Sequence, residues 1–456
     1  MIRVFIIFLI GVVIVGMFAS DPKDGSIALL TVAILSAVAL FFFRRHTDEK
    51  DFVTYAFLGA LCVRLIFGIL VHIYDLRGFA GPDSIGYDVI GSKIVDFWTG
   101  IGNPLDADLK DIMSLRGPGW GMNYLVAIIY LIAGKSIFVA QSFCACVGAA
   151  TVPMVYFCSE QVFHNKRVAK VAALAVAFFP AMIIWSSQLL KDGLIVFLLV
   201  LAITMVLQIQ KKFSLTGLLF LILALSGILS LRFYIFYMVV LAVIGSFVIG
   251  LSTSIRAIIQ RSAILLVMAA AMTYLGVIRI ASGDLQAYGS LERVQYSRND
   301  LAHSDSGYGS EQDVSTVAGA ISAVPLGFAV LLFAPFPWEM RNLRQSLTLP
   351  EVLLWWSLIP LLVYGLWYTI RNRLRESLPI LIFTALLTLS YSVFQGNLGA
   401  AYRQRTQIQV FFFMFIAVGW GLIRERMEDK KAIETNRKRE MAMRLRAQLQ
   451  QTRQIQ

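Results

Sequence analysis

An all-α polytopic membrane protein is the fold class this sequence predicts, and three observations carry the prediction. Hydrophobic residues make up 58% of the chain and charged residues 15%, with a mean hydropathy of +0.73; soluble domains hold roughly 45–50% apolar residues. Apolar runs recur along most of the 456 residues, each close to the roughly 20 residues of helix that an apolar core about 30 Å thick requires. The acids gather in a few polar breaks, as they must where an ionised Asp costs roughly 3 kcal/mol at a bilayer centre.

Taken in order, the runs cover 2–19, 26–43, 52–74, 136–158, 168–186, 192–210, 214–231, 233–251, 262–281, 317–336, 351–370, 377–394 and 406–423. A shorter run, 121–134, reads either as a span or as a partly buried hairpin arm. The expectation is about 13–14 transmembrane helices, whose backbone groups must bond internally because lipid offers no partners. Ile2 to Ala19 is followed by Asp21-Pro22-Lys23-Asp24 with no small-residue cleavage site, so it reads as a retained first helix. Cys62, Cys144, Cys146 and Cys158 all fall in apolar runs without metal-ligand spacing, which points to packing. A divalent metal is compatible with the acids but is not indicated by any pattern.

Net charge is +12. From Arg424 to Gln456 ten Lys or Arg stand against five acids, in a helical pattern carrying Met441, Met443 and Leu445. Such a basic tail suits the cytoplasmic side of a membrane, where it gains from anionic lipids or a cytoplasmic partner. Without interleaved aromatics or a recognised fold it does not read as a nucleic-acid binder. Arg44, Arg45 and His46, Lys211 and Lys212, and Arg371 to Arg375 also suit cytoplasmic turns. That arrangement sends residues 75–121, Lys191 and Asp192, 282–316 and 395–405 to one outer face. The basic turn His164 to Arg167 agrees with it only if 121–134 is not a full crossing.

The most informative outer segment is 75–121, which carries Asp83, Asp88, Asp96, Asp106, Asp108 and Asp111. Gly81-Pro82 stops one helix and Asp83 is placed to cap the next. Ile85, Val89, Ile94 and Val95 give that helix an apolar edge, which predicts an amphipathic helix at the membrane surface. Tyr87 returns to the Asp83 side one turn later. A carboxylate at such a helix start can serve as a cap and as a general base.

Asp83-Ser84-Ile85-Gly86-Tyr87 resembles the acidic motif in the first extracytoplasmic loop of GT-C glycosyltransferases, the group that includes protein O-mannosyltransferases and lipid A aminoarabinose transferases. Gly117-Pro118-Gly119-Trp120, the stretch from Val168 to Pro180, and Ser186-Ser187-Gln188-Leu189-Leu190-Lys191-Asp192 are similar to later features of the same group. Leu332-Phe333-Ala334-Pro335-Phe336-Pro337-Trp338-Glu339, and Gly396-Asn397-Leu398-Gly399-Ala400-Ala401-Tyr402-Arg403-Gln404-Arg405, resemble late-loop motifs of family 39-like bacterial members. The resemblance covers most of 52–423. One departure is that many members carry two adjacent acids in the first loop. Here Ser84 follows Asp83, leaving Asp88 or Asp192 as the second acid.

The resemblance implies a GT-C-like bundle over 1–423 and a multi-pass protein of the bacterial inner membrane. It implies transfer of a sugar from a polyprenyl-phosphate donor to a glycan, lipid or protein acceptor, with Asp83 as base and with Asp88 and Tyr87 beside it. An anionic phosphate on an apolar tail needs cations at the membrane boundary, and Arg403, Arg405, Arg232, Lys191 and Arg116 are the candidates. Arg232 and Lys191 equally suit headgroup anchoring. Asn397 and Tyr402 add polar groups beside the arginines. Trp338 and Glu339 offer a sugar a stacking face and an acceptor, or an interfacial anchor. The 282–316 loop is long enough for a lid, and His303 beside Asp305 reads chiefly as solvated loop. A polymerase or ligase of lipid-diphosphate glycans would share the outer arginines without depending on Asp83. A transporter would show internal repeats, and none is seen.

Overall fold

The computed structural model describes residues 2–101, 119–249, 255–304, 306–340 and 343–455. Among these residues every regular element is helical, apart from an isolated antiparallel bridge between Gly307 and Asn397. The chain opens with α1 (Ile2–Ser20), α2 (Pro22–Arg45) and α3 (Lys50–Ile73), then the short α4 (Arg77–Ala80), α5 (Asp83–Trp98) and α6 (Trp120–Ala133). It continues through α7 (Ile137–Phe163), α8 (Lys166–Phe178), α9 (Pro180–Ser186), α10 (Lys191–Lys211), α11 (Leu215–Leu231) and α12 (Phe233–Ile249). The later part holds α13 (Ile255–Tyr274), α14 (Val277–Tyr288), α15 (Leu291–Ala302), α16 (Val317–Phe333) and α17 (Leu343–Leu347). It closes with α18 (Leu349–Asn372), α19 (Leu374–Phe394), α20 (Leu398–Gln404) and α21 (Thr406–Ile455).

The polytopic all-α class is what the structure has, with fewer full-length spans than the runs suggest. Among the described residues, eight helices are long and apolar enough to cross a membrane, or ten if the bent pairs α8/α9 (56°) and α13/α14 (79°) each count as one. Helices α6, α11, α12 and α16 are apolar but shorter. Composition registers how apolar a run is, and not whether its helix is long enough or crosses.

The helix ends sort into two groups. At one end Lys170 reaches Glu49 at 2.8 Å, Lys166 lies 3.9 Å from Asp48 and Arg167 lies 3.4 Å from Glu428. The turns after α2 and α7 therefore meet the start of the basic tail. At the other end α5 packs on α6, and Lys135 bonds Asp96 at 2.5 Å just before α7 begins. Helix α3 leaves the basic end and α7 returns to it, so α5 and α6 form a hairpin at the opposite end. The 14 residues of α6 span only about 21 Å at 1.5 Å per residue, short of an apolar core of about 30 Å. The 121–134 run is thus the hairpin arm and not a crossing, which places His164 to Arg167 with the other basic turns.

Helix α7 lies at the centre, packed by α2, α3, α8 and α10. Pro180 breaks the next span. Phe179 adopts an extended conformation there, leaving the last carbonyls of α8 without helical donors. Arg64, 1% exposed in the middle of α3, fills that gap. Its Nη1 donates to the Ala177 carbonyl at 3.0 Å, its Nη2 to Val176 at 3.2 Å and its Nε to Ser186 Oγ at 2.8 Å. The negative end of a helix dipole is a suitable partner for a buried cation.

Helices α18 and α21 touch backbone to backbone. A Cβ on Gly365 would stand 1.8 Å from the Phe415 carbonyl oxygen, and one on Gly419 would stand 2.2 Å from that of Leu361. Close approach through small residues is how helices pack where solvent supplies no driving force. Gly365→Val should force the pair apart at a cost of about 1–3 kcal/mol, seen as a lowered unfolding temperature in detergent; an unchanged temperature would refute the contact. Because the four native cysteines are buried, single cysteines can report sidedness in sealed vesicles. Thr47→Cys and Asn165→Cys should label from one side and Ser306→Cys from the other.

Candidate functional site

Chain breaks at one end of the bundle deliver the charged side chains. The break at Pro180 starts the short α9, which stops at Ser186, and the turn that follows sets Lys191 and Asp192 at the start of α10. Arg232 sits at the junction of α11 and α12. Asn397 caps α20 by accepting from the Ala400 N–H at 2.8 Å, which puts Arg403 in the last turn of that helix. Asp83 opens α5. It is the first helical residue and not the cap, a position Pro82 takes, so its carboxylate is not spent on its own backbone.

These residues meet. Asp192 has no exposed surface, and each of its oxygens takes a different arginine. Arg232 Nη2 donates to Oδ1 at 2.9 Å, and Arg403 Nε donates to Oδ2 at 2.6 Å, with Arg403 Nη2 also against Oδ2. Arg403 Nη1 then donates to Asp83 Oδ2 at 2.7 Å. The Arg403 guanidinium lies over the Trp185 ring, 5.4 Å from its centroid. Burial disfavours the Arg403 charge, but Asp192 and then Asp83 outweigh it, and the guanidinium is held above its ordinary value. Arg232 is 6% exposed, and its Nη1 has no hydrogen-bond partner among the described residues. Lys191 joins the same charge cluster. Its ammonium lies 2.9 Å from where a Cβ of Gly119 would stand, and Gly119 has φ +87°, so only glycine suits that position.

Tyr87 stands beside this group. Burial first and the Asp83 charge second raise its phenol above the ordinary value. Asp88 is elsewhere, accepting from the Tyr130 hydroxyl at 2.6 Å, which leaves Asp192 as the second acid at the cluster. Ile85 and Val89 lie on the exposed edge of α5, while Ile94 and Val95 are buried. The apolar positions of α5 therefore divide between its outer edge and its packing on α6.

Arg405 points away from the cluster. It is 1% exposed and donates to the carbonyls of Ala334 and Leu332, with its guanidinium 5.4 Å from the Tyr402 ring centroid. Burial pushes it down to about 10, still cationic at neutral pH. The Tyr402 hydroxyl donates to Glu351 at 2.5 Å. Burial and then Glu351 raise its phenol well above the ordinary value. Asn397 is engaged by Ser304 and by Ser306 as well as by its capping bond. Trp338 is 72% exposed and stacked on Phe336, and Glu339 is exposed beside it. Arg116, with Asp106, Asp108 and Asp111, lies outside the described residues, as does Asp305.

The segment expected to be a lid is largely helical. Arg298 of α15, with no exposed surface, donates to the carbonyls of Val393 and Gln395 at 2.8 and 2.7 Å, and the Tyr308 N–H donates to Gly396 at 2.8 Å. It braces the turn that carries α20. Glu351 and Trp185 went unread in the sequence, and Arg298 was read only as part of the 282–316 loop, because their partners are distant in the chain. Arg64, a lone cation inside an apolar run, carried a readable signal.

Asp192→Asn should leave Arg232 buried without its counter-charge and lower stability by about 3–5 kcal/mol. Pairing Asp192→Leu with Arg232→Met should recover part of that loss. Thermal unfolding of the purified variants in detergent decides, and equal stabilities throughout would refute the pairing.

No curated protein matches this chain. Residues 119–278 match the family model described as dolichyl-phosphate-mannose-protein mannosyltransferase. The stretch includes Lys191, Asp192 and Arg232, whereas Asp83 and Arg403 reach the cluster from outside it. The match covers about a third of the chain, and with the many apolar helices around it implies an integral membrane glycosyltransferase of the GT-C type.

Proposed function

We propose that the protein transfers a sugar from a polyprenyl-phosphate carrier to a hydroxyl-bearing glycan, lipid or protein acceptor at the extracytoplasmic face, with inversion at the anomeric carbon. The observation that carries this reading is the meeting of a half-exposed carboxylate, Asp83, with Arg403 and the buried charges behind it. The basic turns and the basic tail gather at the opposite end, and retention of Lys and Arg in the cytoplasm supports an outer face for the cluster. In a bacterium that is the periplasmic face of the inner membrane, and the product belongs to the cell envelope.

The chemistry follows from the charges. Asp83 takes the proton of the acceptor hydroxyl as the acceptor oxygen bonds to the anomeric carbon. The bond from that carbon to the phosphate oxygen breaks, and its electron pair leaves with the phosphate. Cations already fixed near that oxygen stabilise the charge as it grows, with no reorganisation at the moment of reaction. Arg403 and Lys191 fill this role, with Arg232 behind them. An apolar groove of about 630 Å³, lined by Phe236, Val240, Leu265 and Met272, starts within two turns of Arg232 and suits the isoprenyl tail.

Asp83→Asn in membranes supplied with a labelled polyprenyl-phosphate sugar tests the assignment. Transfer should fall by roughly a hundred- to ten-thousandfold, the usual contribution of a general base, while the donor still binds. Full turnover would remove Asp83 as the base.

A further inference from the structure

Arg403 meets two carboxylates, and it meets them unequally. Its Nε and Nη2 face Asp192, which has no exposed surface and whose other oxygen is held by Arg232. Its Nη1 reaches Asp83, whose side chain is 46% exposed. The inner edge of the guanidinium is therefore fixed by buried partners, and the ring of Trp185 covers one of its faces. Nη1 is the edge that an incoming anion can reach, and Asp83 holds it.

We propose that Asp83 and the phosphate of the donor compete for Arg403 Nη1, so that arrival of the donor releases the Asp83 carboxylate for the acceptor hydroxyl. The proposal rests on the donor reading above and adds an order to it. The Asp83 oxygen that accepts from Arg403 is engaged there and is not open to the acceptor hydroxyl while that bond holds. A phosphate is the stronger claimant, because two of its oxygens can engage Arg403 and a neighbouring cation together. Lys191 supplies that cation from the same cluster. With Nη1 turned to phosphate, Asp83 keeps its place at the head of α5 and loses only its partner. The base is then free only while a carrier phosphate occupies the site.

A merely structural pair, stapling α5 to α20, makes the opposite prediction for one measurement. Binding of a radiolabelled long-chain polyprenyl phosphate, without sugar, is measured on the full-length protein in phosphatidylcholine nanodiscs. Competition predicts that Asp83→Asn and Asp83→Ser bind it roughly two- to fivefold more tightly than the unaltered protein, the scale of a partly exposed ion pair. Arg403→Gln should weaken binding, and Asp83→Asn should add nothing in that background. Equal or weaker binding by both Asp83 variants overturns the competition and leaves the donor reading standing. Absence of binding by the unaltered protein overturns both.

Discussion

A carboxylate with no exposed surface at the head of a membrane-length helix cannot remain charged alone, and the site end of this protein is organised around that constraint. Removing an ion from water costs several kcal/mol, and only well-made partners offset it. Asp192 has two, one on each oxygen. Arg232 comes from the α11/α12 junction and Arg403 from α20, so satisfying one charge ties together three parts of the chain. Asp83 adds a fourth through the edge of Arg403 that remains. The cluster is thus graded, from fully buried at Asp192 to half-exposed at Asp83.

The backbone delivers these groups through its interruptions. Pro180 ends a helix inside an apolar run, Gly81-Pro82 ends another at the boundary, and Asn397 starts a third. The Pro180 and Asn397 interruptions free polar groups that lipid cannot satisfy, and protein answers both. Arg64 answers the Pro180 break, so the turn leading to Asp192 hangs from a guanidinium in the middle of α3. A buried cation outside the cluster therefore supports the turn that carries Lys191 and Asp192.

What could be read in the sequence was local. Every apolar run corresponds to a helix or a bent pair, because a span is written in its own composition. The polar loops could be gathered at one end by counting crossings and basic turns. The count of full-length spans came out lower, because α11, α12 and α16 are apolar but shorter and two runs are bent pairs, while 121–134, open in the sequence between a span and a hairpin arm, is the short α6. Asp83, Asp192, Arg232 and Arg403 were nameable as charged residues at helix ends; that they form one chain of ion pairs was not. Arg403 lies 320 residues from Asp83 and 211 from Asp192, and contacts over such separations exist only in the packed bundle. Asp88 was one of two candidates for the second acid, and what takes it away from the cluster is a tyrosine from another helix.

Arg403 and Arg405 show how little sequence distance separates opposite roles. Positions two apart on a helix face different ways, so when one turns to Asp83 and Asp192 the other must turn elsewhere. Arg405 turns to the carbonyls of Leu332 and Ala334 and to the Tyr402 ring, with Glu351 holding the Tyr402 hydroxyl. The aim of Arg403 is therefore set from behind by a residue that touches none of its partners. It is also set from the side, because the cap of α20 is Asn397, which Ser304 and Ser306 hold, and because Arg298 grips the carbonyls just before it. A seven-residue helix has little stability of its own. Its direction comes from these braces, so the 291–308 segment acts on the site by fixing where Arg403 points.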